Sequence, residues 1–213
     1  MSLIVHHLNN SRSQRILWLL EELELPYEIK HYQRDAVTNL APPELKAVHP
    51  LGKSPLLEDT SVAASGGGGV LIEESGAIVQ HLIDRHGGGR FAPAPADALR
   101  HLQWMHFAEG SAMTPILLQL YLGRLGEAAA PIQPRVQEQL AAHFGYMESQ
   151  LRPSGHFVGD DWTGADVMLS FPAEVAAMQA AAAYPKLAAF AAAVHARPAW
   201  QRAREKGGAY FAT

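Results

Sequence analysis

Residues 3–32 read LIVHHLNNSRSQRILWLLEELELPYEIKHY and place one amphipathic segment between two extended ones. The apolar run from Leu3 to His7 predicts a strand, and the alternation from Tyr27 to Tyr32 predicts a second. After Ser11, apolar residues recur at the spacing of one helix face, which predicts a helix there. The apolar residues of that face are Ile16, Leu19, Leu20 and Leu23. The chain therefore begins with a strand, a helix and a strand.

The continuation to residue 87 completes a small α/β domain. Pro43 to Val48 predicts a short helix with proline at its start, which Pro50 stops. The segments PLLED and VLIEE predict two short strands, and SVAASGGGG between them predicts a flexible hairpin loop. Ser75 opens a further helix that Gly87 closes. Residues 1–87 thus have the order βαβαββα of a thioredoxin-like domain.

The rest of the chain predicts an all-α domain. The stretch GGGRFAPAPAD is rich in Gly and Pro and lacks periodicity, so we place a linker at residues 88–96 and the helical domain at 97–213. Helical spacing resumes at Leu99, and Pro115 should kink or break that segment. Further helix candidates cover residues 136–151, 162–179, 185–195 and 198–204.

Composition excludes several classes of protein. The chain has 213 residues with 17 Lys and Arg against 21 Asp and Glu, a net charge of -4 that predicts neither nucleic-acid nor anionic-membrane partners. No apolar run has the length of a membrane span, and MSLIVHHL does not resemble a secretory signal, so we expect a soluble cytoplasmic protein. The absence of Cys excludes disulfides, thiolate zinc sites and a protein thiol nucleophile. Any sulfur chemistry must use the sulfur of a substrate.

The turn after the first strand carries the first candidate site. Ser11 and Gln14 have the spacing of a helix capping box, which predicts that Ser11 is an N-cap. The same turn offers an anion unpaired backbone N–H groups and the positive end of a helix dipole. A thiolate bound at this turn would therefore be stabilised.

The loop HPLGKSPLLED carries the second candidate site. Its GKS invites comparison with a phosphate-binding loop, but Ala47 stands where that loop needs Gly, and Pro55 leads into a strand. Proline at a strand entry of a thioredoxin-like unit suggests a cis peptide bond instead, with an ordinary turn proline as the alternative. A cis bond would expose the backbone of Ser54 for pairing with an extended peptide.

The segment EESGAIVQHLIDRH carries the third candidate site. Ser75 is expected to cap the helix, and Glu73 or Glu74 precedes it. An acid here could pair with an ammonium group while Ser75 and the helix N-terminus receive the adjacent carboxylate. This combination fits the α-amino acid end of a ligand.

In this order, the three segments resemble the N-terminal domain of the glutathione transferase superfamily, and the resemblance covers nearly the whole chain. Serine-type members have a Ser four residues before an Arg on the first helix, as Ser11 and Arg15 stand here, which implies that Ser11 is catalytic. Tyrosine-type members have a Tyr late in the first strand, near His6 of this sequence, and the lack of Cys excludes the cysteine type.

The resemblance also implies a glutathione site. HPLGKSP is similar to the family's loop before the cis-proline, so the backbone of Ser54 is expected to meet the cysteinyl part of glutathione and Lys53 to lie near its glycyl carboxylate. Glu74 and Ser75 resemble the pair that holds the γ-glutamyl end. Glutathione would be a co-substrate.

The second domain shares further segments with the family. FVGDDWTGADVMLS resembles a buried helix start in which Thr163 and Asp166 form a capping box, and HARPAWQRA resembles a closing helix with no evident chemistry. WMHFAEGSAMTP is similar to the first helix of this domain in a bacterial and fungal branch, where apolar substrate binds. It supplies the pocket candidates Trp104, Phe107 and Met113, although such a stripe is also typical of plain core.

The resemblance implies a homodimeric glutathione transferase that activates the glutathione thiol for attack on small apolar electrophiles. A glutathione-dependent peroxidase or reductase, and a non-catalytic binding module, are the alternatives. A metal site is not expected among the 11 His. His101 and His106 have the wrong spacing for one helix face, and His6 and His7 point to opposite sides of a strand.

Overall fold

The computed structural model describes residues 2–64 and 68–211. It separates into two compact units, one formed by the chain up to Arg90 together with His195–Phe211, the other by Phe91–Val194. The strands are β1 (Leu3–Leu8), β2 (Tyr27–Tyr32), β3 (Leu56–Asp59) and β4 (Val70–Ile72). The α-helices are α1 (Gln14–Glu22), α2 (Pro43–Val48), α3 (Ser75–His86), α4 (Ala98–Phe107), α5 (Met113–Leu122), α6 (Gln133–Gln150), α7 (Gly164–Ala180), α8 (Pro185–His195) and α9 (Pro198–Gly207).

The first unit is built on a mixed four-stranded sheet of order β2-β1-β3-β4. β1 runs parallel to β2 and antiparallel to β3, and β3 runs antiparallel to β4. This confirms the thioredoxin-like βαβαββα prediction. The centre of the predicted hairpin loop, residues 65–67, lies outside the described residues.

The core of this unit forms where apolar faces of the sheet and its helices meet. Val5 and Leu57, opposite each other on β1 and β3, are fully buried. Ile16 and Leu19 of α1 are also fully buried, as the predicted helical spacing requires, and so is Ile78 of α3. The sheet therefore fixes where α1 and α3 begin, and both beginnings carry candidate site residues.

Helix α9 packs with the first unit, although the sequence-based division counted it with the second domain. Arg202 and Lys206 form ion pairs with Glu21 of α1, and Arg197 pairs with Glu22. Glu21 and Glu22 are the last two residues of α1, and they do not belong to its predicted apolar face. The first unit is therefore formed by both ends of the described chain.

The second unit is helical, which confirms the all-α prediction. Its predicted capping box is present: Asp166 accepts hydrogen bonds from the Thr163 N–H (2.8 Å) and hydroxyl (2.9 Å), and from the Phe157 N–H (2.9 Å). Burial raises the pKa of Asp166. These bonds anchor the buried start of α7.

The interruption expected at Pro115 lies one turn earlier. A five-residue π-helical segment, Ala108–Ala112, joins α4 to α5, and Pro115 itself lies inside α5. Proline cannot donate to the carbonyl four residues before it and its ring clashes there, so the preceding turn widens. Within the described ranges, no helix is long and apolar enough to cross a membrane.

Candidate functional site

The topology brings the three candidate segments to one edge of the sheet, which we call the site edge. β1 and β4 point the same way because both run antiparallel to β3. The carboxyl ends of β1 and β4 therefore lie at the same edge as the start of β3. Ser11 follows β1, Ser54 precedes β3, and Glu74 and Ser75 follow β4. Helices α1 and α3 both begin at this edge, so their positive dipole ends lie there as well.

The turn that holds Ser11 differs from the predicted capping box. Helix α1 begins at Gln14 with Ser13 as its N-cap, and no side chain of the described residues caps it. The Ser11 hydroxyl oxygen instead accepts a hydrogen bond from the Ser13 N–H at 3.2 Å. Gln14 is turned into the interior, where its side-chain oxygen lies against Gly207, and so it does not reach back to Ser11.

Ser11 stands at the end of a buried hydrogen-bond chain. Its hydroxyl lies 2.7 Å from that of Ser13, the Ser13 hydroxyl lies 2.8 Å from His7 Nδ1, and His7 Nε2 lies 2.9 Å from the Gly207 carbonyl. A carbonyl can only accept, so the neutral His7 carries its proton on Nε2 and Nδ1 is an acceptor. Ser13 therefore donates to His7, and its oxygen accepts from the Ser11 hydroxyl.

His7 remains uncharged in the physiological range. Burial is the main cause that lowers its pKa, to about 4, and neighbouring His31 lowers it further against a partly opposing hydrogen bond to Gly207. The direction of the hydrogen-bond chain is therefore fixed at neutral pH. Ser13 is fully buried, whereas Ser11 keeps 6% of its surface exposed, so Ser11 is the more exposed of the two serines in this chain.

The Ser54 side chain ties the loop before β3 to the end of β1. Its hydroxyl donates to the His6 carbonyl at 2.8 Å and accepts from the Leu8 N–H at 3.2 Å. The Leu8 carbonyl oxygen lies 3.4 Å from the Ser13 hydroxyl oxygen, so Leu8 lies between Ser54 and the turn that holds Ser11. The predicted cis peptide bond between Ser54 and Pro55 is present.

Two charged side chains at the site edge have no partner among the described residues. Lys53 and Glu74 are both exposed, and neither side chain forms an ion pair or hydrogen bond with another described residue. They carry the opposite charges that the glycyl carboxylate and the γ-glutamyl ammonium of glutathione would need. Their availability is what a site for a zwitterionic tripeptide requires.

Ser75 is the first residue of α3 rather than the predicted cap. The N-cap position belongs to Glu74, whose φ of 67° lies in the left-handed region that non-glycine residues rarely adopt. This conformation turns the chain from β4 into α3 and stores backbone strain of the kind found at functional sites. The first N–H groups of α3 have no acceptor inside the helix, and no described side chain caps them.

Sequence reasoning missed Ser13 and His7 as members of the site. His6 and His7 do point to opposite sides of β1, as predicted: His6 contacts the Tyr32 hydroxyl and Glu58, whereas His7 contacts Ser13. Two serines two residues apart, after a strand with histidine as its next-to-last residue, were the available signal. The last link, to Gly207, joins residues 200 positions apart and has no local signature.

In the second unit, two of the three pocket candidates are core residues. Trp104 is 3% exposed and Met113 2%, and the Trp104 ring packs 5.0 Å from that of Phe157. Phe107 is half-buried, and its ring lies 5.9 Å from His143. Phe107 is thus the candidate whose side chain can meet a ligand.

A cleft of about 430 Å³ lies between α5 and α6 in the same unit. Leu118, Ile132 and Val136 supply apolar walls, and Thr114 and His143 supply polar groups. Since His143 contacts Phe107, this cleft adjoins the side chain that the sequence marked. Its size suits a small, mainly apolar molecule.

The comparisons with known proteins agree across both units. Residues 1–84 match the glutathione S-transferase N-terminal domain, and residues 114–202 match the C-terminal domain. The chain is 35% identical over 187 residues to glutathione S-transferase 3 of Schizosaccharomyces pombe, which covers 80% of this chain and 72% of that protein. The crystal structure of a glutathione S-transferase from Actinobacillus pleuropneumoniae gives a TM-score of 0.83 at 33% identity, over 96% of this chain and 92% of that one. A glutathione transferase homologue from Lodderomyces elongisporus, solved with two GSH per subunit, gives 0.81 at 20% identity, over 97% and 99%.

Proposed function

This chain belongs to the glutathione S-transferase family, and we propose that it is a serine-type member in which the Ser11 hydroxyl stabilises the thiolate of bound glutathione. The observation that carries the proposal is the position of Ser11. It lies at the site edge, just before the start of α1, and is the more exposed end of the hydrogen-bond chain to His7. The sulfur would then attack a small apolar electrophile and displace its leaving group.

The energies available at the site edge are sufficient for this role. An unperturbed thiol has a pKa of ~8.5, and lowering that value by about 2 takes roughly 2.7 kcal/mol of preferential anion stabilisation. A hydroxyl donating to a charged acceptor contributes about 1.5–3 kcal/mol. A helix N-terminus adds about 0.3–1 kcal/mol, or more when partly buried. The sum needs no general base, and the thiol proton can leave to solvent.

The hydrogen-bond chain prepares Ser11 for donation. Ser13 keeps its N–H on the Ser11 oxygen, which leaves the Ser11 proton to point outward once a stronger acceptor arrives. A thiolate is such an acceptor, since hydrogen bonds to charged groups are stronger than those between neutral groups. His7 holds the Ser13 proton and keeps it from competing for the sulfur.

The remaining site residues would bind the ends of glutathione. We place the γ-glutamyl ammonium at Glu74 and its carboxylate at Ser75 and the start of α3, the glycyl carboxylate near Lys53, and the cysteinyl backbone against that of Ser54. The exposed and unengaged charges of Lys53 and Glu74 support this assignment. The cleft beside Phe107 is the proposed electrophile pocket, with Trp104 and Met113 shaping it from the core.

The test is the pKa of the bound thiol in Ser11→Ala, followed by ultraviolet thiolate absorbance and matched with calorimetric glutathione titrations. We expect that pKa to rise by about 1–2 and turnover to fall, while the glutathione affinity measured near pH 6, where the thiol is largely protonated in both proteins, stays within about twofold. Ser149→Ala, an exposed serine on α6, is the matched control. Lost affinity with an unchanged thiol pKa would reduce Ser11 to a binding or structural residue.

An electrophile screen tests the type of reaction. We propose alkyl and aryl transfer as the main activity; parallel assays with a halogenated aromatic and an organic hydroperoxide separate transferase from peroxidase turnover. Glutathione binding without any thiolate absorbance would favour a non-catalytic binding module.

We further propose a cytoplasmic homodimer that takes part in detoxification. Leu120, Tyr121 and Leu125, at and just beyond the end of α5, are each more than half exposed, an apolar surface that a second copy could cover. Light scattering of the purified protein would show twice the 23.1 kDa chain mass if the dimer forms.

A further inference from the structure

A second cluster of chemistry-bearing side chains lies at the opposite edge of the sheet. Asp59 ends β3, and its carboxylate oxygen Oδ2 lies 2.7 Å from His81 Nε2 and 2.8 Å from His86 Nε2, both on α3. One ligating atom from each residue lies within 4.8 Å of those of the other two. Because β3 starts at the site edge and ends here, this cluster is separate from the proposed glutathione site.

The donor set is one that first-row transition metals use. Two imidazole nitrogens and one carboxylate oxygen make a three-ligand zinc site of the kind that keeps an open position for water. The His81 and His86 side chains are 17% and 19% exposed, so solvent can reach the cluster and supply the fourth ligand. The Asp59 side chain is 1% exposed and approaches from the interior.

The distances suit a closed, metal-free arrangement of such a site. Both imidazoles donate Nε2–H to the same oxygen, since a carboxylate can only accept. A tetrahedral ion with bonds of about 2.0–2.1 Å separates its ligand atoms by roughly 3.3 Å. The two contacts therefore need to open by only about half an ångström, while each imidazole moves its proton to Nδ1 or releases it.

Hydrogen bonds from Ser61 also orient the Asp59 carboxylate. Its other oxygen, Oδ1, accepts hydrogen bonds from the Ser61 N–H at 2.8 Å and the Ser61 hydroxyl at 2.6 Å. Such outer contacts fix metal-binding carboxylates in place.

We propose that Asp59, His81 and His86 form a binding site for one divalent transition-metal ion of the zinc type. The ion would join the end of β3 to the carboxyl-terminal half of α3, whose first residue lies at the site edge. A hydrogen-bonded clasp between strand and helix is the structural alternative, and it requires no metal.

The first experiment titrates Zn²⁺ into the chelator-treated protein by calorimetry, with Co²⁺ in parallel because its visible absorption reports nitrogen and oxygen coordination. We expect one ion per chain with micromolar or tighter affinity. At about 100 times the dissociation constant, zinc should also raise the unfolding temperature by about 5–10 °C.

Variants assign the ligands. His81→Gln and His86→Gln retain an N–H donor for Asp59 but should each weaken zinc binding by more than about 100-fold, beyond the 10–100-fold expected when an outer contact is lost in Ser61→Ala. His106→Gln removes an exposed histidine of α4 and should bind zinc as the unaltered protein does.

The titrations distinguish the metal site from the hydrogen-bonded clasp. No binding at millimolar zinc, or binding that both glutamine variants retain, overturns the metal site and leaves the clasp. The titration on the unaltered protein stands even if a variant fails to fold. Glutathione kinetics do not enter the test, so its result is independent of the proposed transferase activity.

Discussion

The burial of neutral His7 predicts that the first unit loses stability as the pH falls from 7 to 4. The pKa of His7 is about 4 in the folded protein and 6.5 in the unfolded chain. Between these two pH values the unfolded chain binds more protons than the folded protein. The contribution of neutral His7 to the free energy of unfolding is therefore complete above pH 6.5 and is lost as the pH approaches 4. The gap of about 2.5 between the two pKa values corresponds to roughly 3 kcal/mol, lost mostly between pH 6.5 and 4.

The assay is equilibrium urea unfolding followed at a series of pH values, for the unaltered protein and for His7→Gln. Glutamine keeps a donor for the Gly207 carbonyl but cannot acquire a charge in this range, so the variant should be less stable at pH 7 and lose less on acidification. We expect the two free energies of unfolding to converge by about 3 kcal/mol between pH 7 and pH 4. Parallel curves for the two proteins would refute the assignment of a buried neutral imidazole.

Three further predictions concern binding and packing. Glu74→Gln should raise the KM for glutathione by about 10–100-fold with little change in kcat, because a charged partner of the ammonium is lost; steady-state kinetics measure both. Asp166→Ala leaves two buried N–H groups without an acceptor and should cost about 3–5 kcal/mol of unfolding free energy in urea, whereas exposed Asp161→Ala should cost less than about 0.5 kcal/mol. Gly207→Ala places a Cβ 2.6 Å from the Gln14 side-chain oxygen and 3.0 Å from a Leu17 methyl carbon; it should lower the thermal midpoint by several degrees, and an unchanged midpoint would contradict the close packing of α9 on α1.

Local patterns were sufficient for most of the fold. The boundaries of β2, α2 and α8 agree with the sequence-based ranges. Helices α2 and α8 each begin at a proline, and β2 is an alternating run. The Thr163 and Asp166 capping box could also be predicted, since all its partners but one lie within four residues.

The sequence was less informative wherever tertiary contacts override a local motif. Ser11 and Gln14 have capping-box spacing, but burial of Gln14 against α9 leaves the motif unformed. Serine is a common N-cap residue, but here Glu74, with its positive φ, occupies the N-cap position and Ser75 is the first residue of the helix. The histidine pairs weighed from spacing did not include the cluster proposed here, because Asp59 is 22 residues from His81 and 27 from His86, and only the packing of α3 beside β3 brings them together.

The residues of the glutathione site were predicted from order and resemblance, and their roles stay predictions until the variants are measured. The structure adds that Ser11, Ser54 and Glu74 lie beside strand ends at the same edge of the sheet. It also adds the support of Ser11 by Ser13 and His7, which was not predicted from the sequence.

The hydrogen bond from His7 to Gly207 has a consequence for synthesis of the protein. A ribosome that has just released residues 1–90 has produced the whole sheet, but neither the acceptor for His7 nor the cations for Glu21 and Glu22 exist yet. The nascent first unit must wait for the intervening helical unit before α9 can dock, and until then it retains exposed apolar surface and unpaired carboxylates. A fragment ending at residue 194 should therefore depend on chaperones and be degraded in cells.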